Sequence, residues 1–237
     1  MNIKKQIPNL ITLANLFCGC LALVFVAKFE YEKAFFFVCL GIFLDFFDGF
    51  FARLFKVSSP LGLQLDSLAD MVTSGVVPGF VMFQMFQTME YDPGSISFFS
   101  AFGFIVTLGA CYRLANFNID TRQSDSFIGL PTPANALFIL SLPFCFGEYF
   151  NTDYDSNLLY KKIALVGISL LSAYIMNAEI PLFSLKIKSF NLKDNLLQII
   201  FLIVSVLLIA VFHFLGMALA IIFYVLLSVF KNLILKK

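Results

Sequence analysis

Long apolar stretches separated by short polar segments run along almost the whole chain. A helix that crosses the hydrocarbon layer of a bilayer needs about 20 mainly apolar residues. Eight stretches come near that length, at roughly 9–28, 33–56, 61–88, 96–115, 133–150, 161–177, 196–212 and 214–231. The pattern therefore predicts an all-α, polytopic membrane helical bundle of about eight transmembrane helices. It also predicts a short turn around His213 and Gly216 between the last two.

Composition supports a protein that lives in a bilayer. The chain has 237 residues, of which 60% are hydrophobic and 13% charged, whereas soluble domains are nearer ~45–50% apolar. The net charge of +1 predicts no basic surface for nucleic acid. The five cysteines are odd in number and lie mostly in apolar runs, which is typical of reduced packing residues. No repeat or linker divides the chain, so a single membrane domain over 1–237 is expected.

The basic residues predict how the helices are oriented. An even number of spans places both termini on one side, and Lys and Arg accumulate in cytoplasmic loops. With the termini in the cytoplasm, only Lys28, Lys33, Lys161 and Lys162 of the 16 basic residues fall outside. The first apolar stretch follows a basic start, as in a signal peptide, but its length favours a spanning helix. The sequence predicts an integral protein of the inner (cytoplasmic) membrane.

Four aspartates lie inside the second and third predicted spans: Asp45, Asp48, Asp66 and Asp70. On translocon scales the free energy of inserting one Asp at the centre of a membrane helix is roughly +2.5 to 3.5 kcal/mol. Four aspartates that faced lipid would therefore cost on the order of 10 kcal/mol in all. Helical geometry places the first pair on one stripe and the second pair on another, and the hairpin between them brings both to one depth. We expect the four carboxylates to meet in a wetted cavity in the cytoplasmic half.

Four carboxylates at one point repel one another unless cations neutralise them. All-oxygen ligands favour Mg²⁺, Mn²⁺ or Ca²⁺. Gly49, Ala52 and Gly62 lie on the same faces and leave room for a bulky ligand, although close helix packing would use the same small residues. Two alternatives remain: the aspartates pair with Arg53, with Arg113 or with each other to hold helices together, or they line a proton or ion pathway.

The segment DFFDGFFARLFKVSSPLGLQLDSLAD fits the pattern D-x-x-D-G-x-x-A-R-x8-G-x3-D-x3-D at every fixed position. Eight fixed letters recur by chance on the order of once in 10⁹ starting points. The segment resembles the signature of the CDP-alcohol phosphotransferase family. The resemblance implies a core of six membrane helices at 1–177, two additional C-terminal helices at 178–237, and a nucleotide pocket open to the cytoplasm.

The resemblance also implies residue roles. Asp45, Asp48, Asp66 and Asp70 would hold two divalent metal ions, Mg²⁺ or Mn²⁺, and Asp70 would also act as the catalytic base. Gly49, Ala52, Arg53 and Gly62 would accommodate the CDP group. An aspartate is a weak base for an alcohol, so deprotonation is expected to be concerted with attack on phosphorus.

Two further stretches, IPNLITLANLFCGCLAL and CYRLANFN with FIGLPTPANA, resemble the branch of that family that uses L-serine. The implied reaction joins CDP-diacylglycerol, a membrane lipid, to L-serine and gives phosphatidylserine and CMP. Arg113 and Arg122 are predicted to lie on the cytoplasmic link after the fourth span, and they are the candidate donors to the serine carboxylate. Asn9, Thr12 and Asn15 recur along one end of the first span and are candidate donors to the nucleotide. Positive-inside topology explains the arginines equally well, and capping or helix–helix hydrogen bonds explain the other three.

Other acceptors and another class of protein stay open at this point. Glycerol 3-phosphate or an inositol phosphate would use the same chemistry, but each carries an extra phosphate that calls for a denser basic cluster. An ion-coupled transporter would place carboxylates near the midplane and show matched halves with broken helices. The sequence shows neither repeated halves nor a second acidic cluster. A homodimer is compatible with the membrane enzyme that the sequence predicts.

Overall fold

The computed structural model of the protein describes residues 3–57, 59–90, 97–120, 127–150, 158–183 and 195–235, and this part of the chain is almost entirely helical. Its helices are α1 (Ile3–Ala27), α2 (Tyr31–Phe55), α3 (Pro60–Asp70), α4 (Val77–Gln87), α5 (Phe98–Ala101), α6 (Ile105–Ile119), α7 (Thr132–Phe150), α8 (Leu158–Asn177) and α9 (Leu196–Leu235). A π-helical turn (Met71–Val76) joins α3 to α4, and a 3₁₀ turn (Phe102–Phe104) joins α5 to α6. Two short strands, β1 (Phe127–Ile128) and β2 (Pro181–Leu182), pair antiparallel.

The expectation of an all-α membrane bundle is confirmed. Within the described residues, six helical stretches are long and apolar enough to cross a bilayer, and Thr132–Phe146 forms a shorter apolar helix. The six are Gln6–Ala27, Tyr31–Phe55, Pro60–Gln87, Phe98–Ile119, Leu158–Asn177 and Leu196–Leu233. The protein is therefore an integral membrane protein. Each of the eight predicted segments lies mainly on one of these seven stretches, and the last two share α9.

The long helix α9 is broken at His213, whose φ of 50° and ψ of −118° are not helical. Gly216 lies directly against the backbone of the preceding half, because a Cβ at this glycine would stand 2.0 Å from the carbonyl oxygen of Leu208. In one straight helix these two residues would lie about 12 Å apart along the axis. The rings of Phe201 and Phe223 stack at 6.3 Å. The chain therefore reverses at His213, and the halves of α9 pack side by side.

The span formed by α3, the π-helical turn and α4 lies at the centre of the bundle. In its most apolar window 61% of the residues are buried, against 11–33% for the other five spans. Ser59 caps its start by accepting a hydrogen bond from the Gly62 amide at 3.0 Å, and Pro60 follows at the first helical position. Asp66 and Asp70 lie on this central span, so the bundle itself fixes their position.

Helix α1 packs closely against both α2 and the π-helical turn. Gly41 of α2 makes this approach feasible, because a Cβ there would stand 2.7 Å from Asn15 Oδ1 and 2.8 Å from Thr73 Cγ2. Small residues at helix crossings allow backbones to approach in membranes, where lipid offers little driving force for helix association. The crossing brings Asn15 of α1 and Thr73 of the π-helical turn together beside the aspartates.

Candidate active site

Three of the four membrane aspartates form one cluster. Asp45 and Asp48 of α2 and Asp66 of α3 each offer a carboxylate oxygen, and these oxygens all lie within 4.8 Å of one another. Lys56, in the left-handed conformation, ends α2, and Ser59 begins α3. This short connection makes α3 return alongside α2, so both sets of carboxylates come to the same depth. The prediction that the two helices gather their acids in one place is confirmed for these three.

The cluster is held from one side by α1. The hydroxyl oxygen of Thr12 lies 2.5 Å from Asp48 Oδ2 and 3.0 Å from the carbonyl oxygen of Pro8. Both Thr12 and Asp48 are buried. A hydroxyl has one proton to donate, and a charged acceptor makes the stronger hydrogen bond. Thr12 therefore orients the Asp48 carboxylate toward the cluster.

Asp70 stands one helical turn beyond Asp66 and is oriented by a buried amide. Asn15 Nδ2 donates to Asp70 Oδ1 at 3.2 Å, and Thr73 Oγ1 donates to Asn15 Oδ1 at 2.9 Å. Asn15 and Thr73 are both fully buried. The bond from Thr73 fixes which end of the Asn15 amide faces Asp70, because only the amide nitrogen can donate to the carboxylate. Thr73 lies in the π-helical turn, a feature that often marks functional sites.

A first cavity, here called the α1–α3 cavity, opens on one side of the cluster with a volume of about 290 Å³. Its lining contains six of the seven residues predicted to bind CDP, together with two of the clustered acids: Asn9, Thr12, Gly49, Ala52, Arg53 and Gly62 with Asp48 and Asp66. A Cβ at Gly49 would stand 3.4 Å from Arg53 Nη1, so the guanidinium lies over this glycine. The cavity therefore combines backbone-lined space, one cation and the edge of the acidic cluster.

A second cavity, here called the α6–α7 cavity, opens on the other side with a volume of about 210 Å³. Three of the four acids line it together with polar residues and the first turn of α7: Asp45, Asp66, Asp70, Ser67, Arg113, Leu114, Phe117, Pro131, Thr132 and Pro133. Asp66 lines both cavities. The acidic cluster therefore lies between two spaces and is reached from each.

Arg113 lies on α6 and not on the link that follows the fourth span. The helix continues to Ile119, so the prediction of a position on that link was wrong. The guanidinium is buried, and its Nη1 donates to the carbonyl oxygens of Ile128 (2.9 Å) and Met176 (2.8 Å). These bonds tie β1 and the end of α8 to the wall of the α6–α7 cavity. Among the described residues, Arg113 therefore donates to two backbone carbonyls and not to an aspartate.

One residue predicted to bind CDP does not line the expected cavity, and one predicted acceptor-binding residue is not described by the structure. Asn15 does not line the α1–α3 cavity, since its amide is buried between Asp70 and Thr73. Arg122 lies outside the described residues. Sequence reasoning missed Thr73 and the pair Ser67–Asn118, in which Asn118 Nδ2 donates to Ser67 Oγ at 2.9 Å. Their polar side chains stand inside apolar spans, and that was the only signal for them.

The donor set of the cluster fits a hard divalent cation. Its ligand atoms are carboxylate oxygens, which Mg²⁺ and Mn²⁺ prefer. Three acids with oxygens within 4.8 Å of one another repel each other strongly without a cation. Asp45, Asp48 and Asp66 are therefore the residues that would hold such an ion, and Asp70 lies next to them in the α6–α7 cavity.

Comparison with known proteins agrees with this geometry. A family model described as CDP-alcohol phosphatidyltransferase matches residues 5–175. A protein of Helicobacter pylori (strain ATCC 700392 / 26695) is 33% identical over 198 residues, which cover 82% of this chain and 79% of the relative. A Bacillus subtilis protein is 35% identical, covering 60% of this chain and 77% of the relative, and a Methanocaldococcus jannaschii protein is 31% identical, covering 69% and 71%. All three are named CDP-diacylglycerol–serine O-phosphatidyltransferase.

Proposed function

Because the chain belongs to the CDP-alcohol phosphatidyltransferase family, we propose that it transfers the phosphatidyl group of CDP-diacylglycerol to L-serine, giving phosphatidylserine and CMP. The observation that carries this proposal is an acidic cluster lying between two cavities, with Asp66 common to both. Two substrates can then reach the same acids from two different cavities. Relatives at 31–35% identity that are named for this reaction support the choice of serine.

The α1–α3 cavity suits the CDP group. Gly49, Ala52 and Gly62 leave its walls close to the helix backbones, and Arg53 supplies a cation for a phosphate oxygen. Asn9 and Thr12 add polar atoms from the N-terminal part of α1. A divalent ion bound by Asp45, Asp48 and Asp66 would neutralise the diphosphate and stabilise charge on the departing CMP. The clustered carboxylates therefore match the divalent metal that members of this family use. We propose that the site holds two ions of Mg²⁺ or Mn²⁺.

The α6–α7 cavity suits the acceptor alcohol, and Asp70 is the base that faces it. The serine hydroxyl oxygen forms a bond to the phosphatidyl phosphorus, the bond from phosphorus to the CMP oxygen breaks, and the hydroxyl proton passes to Asp70. Asn15 holds one oxygen of Asp70 by its hydrogen bond and leaves the other free to take that proton. Asn15 is thus a positioning residue that acts through Asp70.

Arg113 is our candidate for holding the serine carboxylate. A guanidinium has five N–H donors in a planar fork, and the two backbone bonds of Arg113 both use Nη1. The remaining donors belong to Nη2 and Nε, on the edge that grips a carboxylate in a bidentate pair. A single arginine matches the single carboxylate of serine better than it matches the extra phosphate of glycerol 3-phosphate or an inositol phosphate.

Replacing Thr73 with valine should slow turnover without weakening substrate binding. The change keeps the shape of the side chain but removes the hydroxyl that anchors Asn15, so the amide can turn away from Asp70. We expect kcat to fall about 10- to 100-fold, as for other supporting hydrogen bonds, while both KM values stay within about twofold. Steady-state kinetics on the purified enzyme measure this. Thr73→Ser keeps the hydroxyl and should retain most of the wild-type kcat. A Thr73→Val enzyme with the same kcat as the wild type would show that Thr73 does not position Asn15.

Replacing Arg113 with lysine should weaken serine binding selectively. Lysine keeps the charge but not the fork, so we expect the serine KM to rise at least about tenfold while the CDP-diacylglycerol KM changes by less than about twofold. The wild type should also discriminate against serine methyl ester, which lacks the carboxylate, and the variant should lose that preference. An unchanged preference would mean that Arg113 serves only its backbone bonds. Arg122→Ala tests the second predicted arginine by the same two measurements.

We propose that both termini and the active site face the cytoplasm and that the bundle has eight transmembrane helices. The reversal at His213 supports counting the halves of α9 as two spans, each close to the ~20 residues that a bilayer requires. Thr132–Phe146 is then the fifth span, shorter than the others. Arg53 and Lys56 lie at the C-terminal end of α2, the same end of the helix as the acidic cluster. Basic residues at this end are consistent with a position near the cytoplasm.

Incorporation of radiolabelled serine into lipid tests the proposed function directly. Membranes that contain the overproduced chain, supplied with CDP-diacylglycerol and Mg²⁺ or Mn²⁺, should form labelled phosphatidylserine and release one CMP for each serine. Labelled glycerol 3-phosphate and inositol phosphate serve as competing acceptors in parallel reactions. CMP release with either of these and none with serine would overturn the choice of acceptor, and no CMP release with any of them would favour an ion-coupled transporter.

A further inference from the structure

Both halves of α9 hold the strand β2, and all three lie beyond residues 5–175 that the family model matches. Tyr224 in the second half is buried, and its hydroxyl donates to the carbonyl oxygen of Phe183, directly after β2, at 2.9 Å. The Phe183 ring lies edge-on to Tyr224 at 4.9 Å and to Phe201 of the first half at 5.8 Å. Asn232 Nδ2 donates to the carbonyl oxygen of Pro181 at 2.6 Å. The two halves therefore fix the position of β2.

Strand β2 in turn holds the segment that leads from β1 into α7. The two strands pair antiparallel. Directly after β1, the Gly129 amide donates to the carbonyl oxygen of Ile180 at 2.9 Å, and the Leu130 amide donates to that of Ile175 at 3.0 Å. Gly129 has a φ of +72°, and a Cβ there would stand 2.3 Å from the carbonyl oxygen of Met176, so a side chain is excluded. The segment is thereby held closely against the end of α8.

This segment and the end of α8 carry the two carbonyl oxygens that accept from Arg113. They belong to Ile128 in β1 and to Met176 in α8. Residues 131–133 follow and line the α6–α7 cavity together with Arg113. A guanidinium whose Nη1 donates to two carbonyls turns when one of them moves, so the orientation of its other edge depends on β1. Tyr224 itself lines neither active-site cavity.

We propose that Tyr224 is a positioning residue for the serine site and acts through β2, β1 and Arg113. This inference rests on the proposed function, because it concerns the carboxylate that Arg113 binds. With the Tyr224 bond in place, the Ile128 carbonyl holds Nη1, and the Nη2–Nε edge keeps one orientation. Without it, the buried Phe183 carbonyl loses this donor, the paired strands gain freedom, and the fork no longer matches a carboxylate. The C-terminal helices thus belong to the acceptor site.

Tyr224→Phe keeps the ring and removes the hydroxyl, so it should weaken serine binding selectively. We expect the serine KM to rise about three- to tenfold, while kcat and the CDP-diacylglycerol KM stay within about twofold of wild type. The preference for serine over serine methyl ester should fall by a similar factor, because the weakened contact is with the carboxylate. Steady-state kinetics on the purified full-length enzyme measure all four quantities. Tyr174→Phe is the matched control and should resemble the wild type, since Tyr174 is 67% exposed on α8.

Combining Tyr224→Phe with Arg113→Lys tests whether the effect passes through the arginine. In the Arg113→Lys enzyme the fork is already absent, so Tyr224→Phe should change the serine KM by less than about 1.5-fold. Hydrogen exchange of the substrate-free protein gives a readout without activity. The amides of Gly129 and Leu130 should exchange faster in Tyr224→Phe than in the wild type or Tyr174→Phe, because the strands that hold them are less firmly fixed.

Four results would overturn the positioning role while the wild type still incorporates serine. They are an unchanged serine KM in Tyr224→Phe, an equal rise in both KM values, the same rise in the Arg113→Lys enzyme, and unchanged exchange at the two amides. A wild type that incorporates no serine would instead overturn the proposed function, and this inference with it. If Tyr224→Phe does not fold, Asn232→Leu removes the other side-chain bond to β2 and should raise the serine KM in the same selective way.

Discussion

Asp70→Asn should reduce kcat by at least about 10³-fold while the enzyme still binds CDP-diacylglycerol. General base catalysis contributes about 10²–10⁴-fold, and an amide oxygen cannot accept the proton of the serine hydroxyl. The replacement has the same shape, and its side-chain oxygen can still accept the hydrogen bond from Asn15, so the surroundings of residue 70 stay in place. Single-turnover release of CMP measures the chemical step, and equilibrium binding of radiolabelled CDP-diacylglycerol measures the retained affinity.

Asp120→Asn is the matched control for this experiment. It makes the same chemical change at the residue that follows α6, and Asp120 lines neither active-site cavity. We expect its kcat to stay within about twofold of wild type, as for most substitutions away from a site. Turnover by Asp70→Asn at a tenth of the wild-type rate or above would remove Asp70 from the role of base. Loss of nucleotide binding in that variant would instead place Asp70 among the residues that hold the metal.

The acidic cluster could be predicted from sequence because all its members lie within one helical hairpin. The 100° rotation per residue sets the faces of α2 and α3, and the short link at Lys56 and Ser59 sets their relative depth. Both facts are local, so no knowledge of the remaining helices is required. The same reasoning placed Gly49, Ala52 and Gly62 around one space, and the α1–α3 cavity contains all three.

The supporting hydrogen bonds could not be predicted, because they join residues that are distant in the chain. Thr73 bonds to Asn15 across 58 positions, and Arg113 bonds to Met176 across 63. Periodicity reveals which face of a helix is polar but not which helix lies against that face. The π-helical turn at Met71–Val76 also has no local signal, yet it determines where Thr73 points. For this reason Asn15 was expected beside the nucleotide and is found beneath Asp70.

The acids of the cluster also determine how the protein responds to removal of its metal. Asp66→Asn should weaken Mn²⁺ binding at least about tenfold and lower kcat by at least about 10³-fold, since it removes one of three clustered carboxylates and the acid common to both cavities. Titration of the substrate-free protein with Mn²⁺, followed by electron paramagnetic resonance of the free ion, gives the affinity without reference to activity. Asp120→Asn again serves as the matched control and should bind Mn²⁺ like the wild type.

The sign of the stability change separates metal binding from a purely structural role for Asp66. Without metal, the like charges of Asp45, Asp48 and Asp66 oppose folding, so removing one should raise the Tm measured in chelator. With saturating Mg²⁺, the wild type gains the linkage stabilisation of a bound ion and the variant gains less, so the order of the two Tm values should reverse. A variant less stable than wild type in both conditions would show that Asp66 holds the helices together rather than a cation.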